Sequence, residues 1–167
     1  MRVTFGAGLF MTGLLHTASI PARQYGFMLA LMSQATSDLP ALLHSMAPVM
    51  HPGVFAYASL PPGAEAADLE TIASMLEAEG LTVIVTEAQA IKAGLAILFR
   101  ASWITLQVHS DLQAVGLTAA VATSLSQAGI SCNVVAGAFH DHLFVPVEAG
   151  EAAMAVLLAL QLHQRPV

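Results

Sequence analysis

Residues 103–160 read WITLQVHSDLQAVGLTAAVATSLSQAGISCNVVAGAFHDHLFVPVEAGEAAMAVLLAL. Ile104, Leu106 and Val108 alternate with Trp103, Thr105, Gln107 and His109, the period of a strand buried on one face. The run Ser110 to Gly116 breaks that pattern, and Leu117, Val121, Leu125 and Ala128 then recur at helical spacing, with Gly129 at the C-cap position. Ile130, Cys132, Val134 and Ala136 alternate as a second strand, and Leu143, Val145 and Val147 as a third. A last helix is predicted from near Glu148, with Ala153, Val156, Leu157 and Leu160 on one face. The order βαββα is the skeleton of a ferredoxin-like α+β sandwich, in which helices cover one face of an antiparallel sheet.

The stretch VHSDLQAVGLTAAVATSLSQAGISCNVVAGAFHDHLFVPVE, residues 108–148, resembles the C-terminal unit of the small bacterial tandem ACT-domain proteins. These are similar to the eukaryotic cytosolic arginine sensors. The resemblance covers nearly all of the chain from about Asp38 and is strongest from Val108 to Val147. It implies two ferredoxin-like βαββαβ units of ACT type and a regulatory role: reversible binding of an amino acid or related metabolite, read out through subunit arrangement. It further implies a cytoplasmic homo-oligomer, a homodimer or larger, that acts on a separate partner protein.

Upstream, Asp38 to Met46 reads as a short helix capped by Ser37 or Asp38, with Leu39, Leu42, Leu43 and Met46 facing inward. His51-Pro52-Gly53 is a turn signal, Val54 to Leu60 a strand, and Pro61-Pro62-Gly63 its end. Ile72 to Leu76 and Leu81 to Val85 form a hairpin around Glu79-Gly80; Glu87 to Ala93 is a helix closed by Gly94, and Ile97 to Arg100 a strand. The expected organisation is an extension over residues 1–35, an abbreviated first ACT-like unit over 36–100, and a second ACT domain over 101–165. The first unit lacks its long helix and the second lacks its own fourth strand. Two such units are expected to share one sheet, because independent domains would leave too many open strand edges.

Met1 to Ser37 contains Arg2 and Arg23 but no acid, and Phe5 to Leu15 is a short apolar run. A signal-peptide core has about this length, but the run is too short and too glycine-broken to span a membrane. The plainest expectation is an upstream extension or a misplaced start, dispensable for folding.

Eleven acids against five bases give a net charge of −6 with no basic cluster, which argues against a nucleic-acid partner. Six of the acids fall between Glu65 and Glu87 and read as a solvated face. A chain this apolar points to a buried interface between copies. Cys132 is the single cysteine, so a disulfide framework or thiolate zinc site within one chain is excluded.

The loop from His109 to Gly116 leaves a strand end and enters a helix N-terminus, where free N–H groups and the helix dipole favour a carboxylate. Gly116 allows close approach of the backbone; Asp111 suits an α-ammonium, and Ser110 or Thr118 the carboxylate. Plain turn chemistry, with Asp111 capping the helix, is the competing explanation. The ACT resemblance carries over Asp111, Leu112, Val115, Gly116, Leu117 and Thr118, with Asn133 and Val134 on the next strand. Many ACT domains place proline before the glycine; here Val115 stands there. Asn133 interrupts an apolar strand, and its partner is a ligand, the neighbouring loop or another subunit.

Phe139-His140-Asp141-His142 is the other polar cluster. His140 and His142 would share a face of an extended segment, and His109 could approach them; this supports the alternative of a metal-binding protein or small acid–base enzyme. A hairpin whose histidines hydrogen-bond locally is the simpler expectation. His16, His44, His51 and His163 read as surface or turn residues. No phosphate loop, Gly-x-Gly-x-x-Gly or nucleophile elbow is present, so neither a cofactor nor a catalytic activity is expected.

Overall fold

The computed structural model of the chain describes residues 38–108 and 115–163. Its elements are α1 (Leu39–Ser45), β1 (Ala47–Met50), β2 (Phe55–Leu60), β3 (Ala73–Glu77), β4 (Gly80–Thr86), α2 (Glu87–Lys92), β5 (Phe99–Gln107), α3 (Leu117–Gln127), β6 (Asn133–Ala136), β7 (Asp141–Pro146) and α4 (Gly150–His163). A 3-10 turn at Val147–Ala149 leads into α4.

Local chemistry sets the helix ends. The Asp38 carboxylate accepts the Ala41 N–H at 3.1 Å and Pro40 sits in the first turn, so α1 starts there. Thr86 caps α2 by accepting the Gln89 N–H at 3.3 Å. Gly129, at φ +71, ends α3, because an L side chain would resist that left-handed conformation.

The seven strands form one antiparallel sheet in the order β3-β4-β2-β5-β7-β6, with β1 also paired to β5. Phe99 to Ala101 pair with β2, and Ile104 to Gln107 pair with β1. The opposite edge of β5 pairs with β7 from Ala101 to Leu106. Met50 faces Ile104 while Phe55 faces Ala101, so four residues on one side oppose two on the other. His51-Pro52-Gly53 absorbs the surplus, and the His51 N–H still reaches the Trp103 carbonyl at 2.8 Å. This turn signal therefore bends a strand rather than reversing it.

The shared-sheet expectation takes a definite form. In the first unit the spatial order β5-β2-β4-β3 is fourth, first, third, second. In the second unit β1-β5-β7-β6 repeats it, with β1 in the fourth place although it comes first in sequence. Two sequence expectations need correction. The strands assigned to Ile97–Arg100 and Trp103–His109 are one strand, since nothing at Ala101 and Ser102 breaks the ladder. Strand β1 was not expected, because four residues with a central proline carry almost no periodicity.

Alternation along β5 separates two cores. Ile104 and Leu106, with Leu143 and Val145 of β7, pack under α3 (Val121, Leu125), α4 (Ala153, Leu157) and α1 (Leu42, Leu43, Met46). In the first unit Ala56, Ala58, Val83 and Val85 pack on Ala90 of α2. The helix-free face gathers Ile84, Ala101 and Phe144 with Tyr57, Phe99 and Trp103. Ala73 of β3 and Val135 of β6 join this same cluster, so the sheet is rolled and its two outer strands approach each other. Each large side chain fully buried in these cores contributes about 1.5–3 kcal/mol.

Gly80 opens β4 at φ +151, and a Cβ there would collide with the backbone oxygen of Leu60. Gly63 has φ +81 but open space around it. Urea unfolding should therefore show Gly80→Ala losing about 2–4 kcal/mol of stability, and Gly63→Ala only the conformational cost of about 1–2 kcal/mol.

Candidate functional site

The chain leaves β5 at Gln107 and enters α3 through Gly116, the residues between Val108 and Val115 lying outside those described. Gly116 occupies the N-cap position at φ +109, so the first turn of α3 has no capping side chain from that residue. Its missing Cβ matters twice: the φ is left-handed, and a Cβ would lie 2.9 Å from Leu39 Cδ2. Helix α1 thus lies directly against the start of α3. The backbone conformation is what favours glycine here, since the tip of the Leu39 side chain could shift to admit a Cβ.

The sequence-derived site residues separate into three groups. Ser110, Asp111 and Leu112 lie outside the described residues. Val115, Gly116, Leu117 and Thr118 sit together at the start of α3, but their roles differ. Val115 is 84 % exposed, Thr118 is exposed, and the Leu117 side chain is buried in the helix-side core. Leu117 can therefore offer a ligand its N–H group and not its side chain. Asn133 and Val134 are elsewhere. Asn133 pairs with Phe144, whereas the chain leaves for the loop beside Asp141, which pairs with Leu106. Three residues of strand separate these levels, about 10 Å. Asn133 is exposed, so water satisfies its amide and no buried partner is required.

The histidine cluster is tied into the helix-free face. His51 stacks on Trp103 with ring centroids 3.5 Å apart and planes at 11°. Its Nε2 lies 2.8 Å from Thr105 Oγ1, which lies 3.0 Å from His142 Nδ1. Trp103 Nε1 donates to the same His142 Nδ1 at 3.1 Å. An indole nitrogen only donates, so His142 Nδ1 is an acceptor and carries no proton. Thr105 then donates to it, and His51 donates from Nε2 to Thr105. Four side chains from three neighbouring segments are linked in one directed chain of hydrogen bonds.

His51 lies half-buried at the turn expected for it, and what the sequence did not show is its tie to Trp103 and Thr105. His140 Nδ1 lies 3.4 Å from the Val108 carbonyl, at the root of the loop. Among the described residues no three metal-ligating side chains group together. Burial lowers the pKa of His142, assisted by His140 and His51, and burial alone lowers that of His51. Burial raises the Asp141 pKa, against the pull of His142 and His140.

Comparisons with known proteins fit this geometry. One ACT-domain model matches residues 34–102 and a second matches residues 98–159, the two meeting on β5. The chain belongs to the ACT-domain proteins. It is 43 % identical to a Vibrio cholerae protein of unknown function, described as a possible transport protein, over 74 % of this chain and 95 % of that one, with a TM-score of 0.67. An Agrobacterium tumefaciens protein matches at 18 % identity over 70 % and 89 % of the two chains, with a TM-score of 0.55. The ligand-free regulatory subunit of aspartate kinase from Thermus thermophilus shares the fold at 8 % identity over 70 % and 97 %, with a TM-score of 0.55. No curated protein matches the chain in sequence. The tandem ACT architecture accounts for the 4-1-3-2 strand order of both units, and no helix among the described residues is long and apolar enough to cross a membrane.

The histidine chain predicts a pH dependence of definite sign. Both imidazoles are held neutral in the fold, below the ordinary value of 6.5. Below that pH the unfolded chain takes up protons that the folded chain refuses, so the stability they contribute is complete above pH 6.5 and declines toward the depressed folded values. Asp141 acts in the opposite sense, but nearer the carboxylate range. Melting temperature should therefore change little from pH 7.5 to about 6.5 and fall from there to 5.5, and the His142 ring should titrate by NMR with a midpoint below 6.5. A flat profile would remove this network from the account.

Proposed function

We propose that the protein is a non-catalytic regulatory module that binds an amino acid or closely related metabolite at the start of α3. The observation that carries this reading is the junction itself. A strand that belongs to both ACT units leads to a left-handed Gly116 and then to an eleven-residue helix whose first turn takes no side-chain cap from that glycine. The N–H groups of that turn and the helix dipole suit a carboxylate. Asp111, on the connecting loop, would take the ammonium, with Ser110 and Thr118 beside the carboxylate and Leu112 and Val115 along the aliphatic part. Asn133 and Val134 of β6 would reach such a ligand only from a neighbouring copy, given their distance along the strand.

Regulation follows if binding favours one subunit arrangement over another. The open edges of β3 and β6 and the exposed Ile91, Leu158 and Leu162 support a homodimer or larger assembly. With no catalytic residues proposed, the output passes to a separate partner protein, and the reading places the protein in the cytoplasm.

A thermal-shift screen of the amino acids tests this directly, since a ligand at a hundred times its Kd adds about 2.7 kcal/mol of stability. Calorimetry on the hit should then show Asp111→Ala weakening binding about ten- to a hundredfold through loss of a charge-assisted hydrogen bond. Unchanged affinity in a folded Asp111→Ala protein would remove the ammonium role.

A further inference from the structure

The hydrogen bonds through His51, Thr105 and His142 cross the molecule where the two units join. His51 lies in the bend between β1 and β2, Trp103 and Thr105 on the shared β5, and His142 on β7. Thr105 is only 5 % exposed, so its single hydroxyl proton goes to one ring or to the other.

The two rings do not take up a proton in the same way. His51 donates from Nε2, so its open lone pair is on Nδ1. A proton added there makes an imidazolium and leaves every bond of the chain as it was. His142 accepts at Nδ1 from both Trp103 Nε1 and Thr105, so its own proton sits on Nε2 and an added one must go onto Nδ1. That turns the acceptor into a donor. The indole N–H, 3.1 Å away, then faces another N–H and loses its bond. With both rings charged, Thr105 meets an N–H from each side and its hydroxyl proton has no ring to go to. Donors left unpaired in a buried network are costly. The arrangement therefore holds one proton easily and a second one badly.

The surrounding groups favour the same order. Burial first, then His140 and His51, lower the His142 pKa, and only Asp141 opposes them. Burial alone acts on His51. Tyr57, on the same face from β2, is pushed up to about 12 and stays neutral throughout.

We propose that these four side chains form an ordered, two-step proton latch at the seam of the two units. The first proton settles on His51 Nδ1 with the latch closed. The second, on His142 Nδ1, releases the Trp103 indole and unties the bend from β7. The device senses acid and is separate from the start of α3.

The test follows the imidazole nitrogens and the Trp103 indole N–H of the full chain by NMR as the pH is lowered. His51 should take up its proton first, at a midpoint at least about one pH unit above that of His142, while the indole resonance stays in place. The indole should move only with His142. In His51→Gln, whose amide still donates to Thr105 but does not titrate, the His142 midpoint should rise, and no step should precede the indole shift. Simultaneous titration of the two rings, His142 ahead of His51, or an indole that moves in the first step would overturn the inference. An unchanged His142 midpoint in a folded His51→Gln protein would overturn it too, and if that variant does not fold, the order of the wild-type steps decides alone. No ligand enters the measurement, so failure of amino acids to bind at α3 leaves this result untouched.

Discussion

The hydrogen-bond ladder of β5 is the constraint on which the rest of the molecule depends. One edge of this nine-residue strand carries β2 and then β1, and the other carries β7. It is the last strand of one ACT unit and the first of the next. Cutting the chain on either side of it would leave one unit with an open inner edge, a surface that pairs readily with other chains. The bend at His51-Pro52-Gly53 is a consequence: β1 and β2 are nearly one strand, and the two surplus residues let them serve separate units along a single partner. The same strand sorts the side chains, sending Ile104 and Leu106 under the helices and Trp103 and Thr105 to the opposite face.

Much of this was legible in the sequence, for identifiable reasons. Helix α3 shows its apolar stripe at Leu117, Val121 and Leu125 and its glycine at 129, and both the 3.6 period and the C-cap rule are local. The hairpin of β3 and β4 and the short helix α2 follow from Gly80 and Gly94 in the same way, although the Thr86 cap was seen only in the structure. Long-range pairing was less accessible. That Ala47 to Met50 form a strand is decided by the partner edge of β5 and not by their own composition. That two assigned strands fuse at Ala101-Ser102 is decided by β2 and β7 from either side.

The candidate sites divide along the same line. Gly116 and the helix start were readable from residue type and spacing, although the packing of Leu39 against that glycine was not, because α1 reaches it only in the folded chain. His51 gave no signal beyond a turn; its partnership with Trp103, Thr105 and His142 requires the strand bend. Tyr57 falls inside the expected strand Val54 to Leu60 with no signal of its own, and its hydroxyl is buried in the fold. The helix side of the sheet is thus a packed core with a carboxylate-friendly helix start at its margin. The helix-free side is aromatic and ordered by neutral histidines. A ligand at the helix start would bias a body whose two units have β5 in common.

Native-state hydrogen exchange as a function of denaturant measures that sharing most directly. The amides of Val83 and Val85 on β4 report the first unit, and those of Leu143 and Val145 on β7 report the second. If β5 makes the units one cooperative body, their slowest amides converge on a single opening free energy and unfold with the same denaturant dependence. Two distinct limits, with β4 opening at lower denaturant while β7 stays protected, would contradict the account.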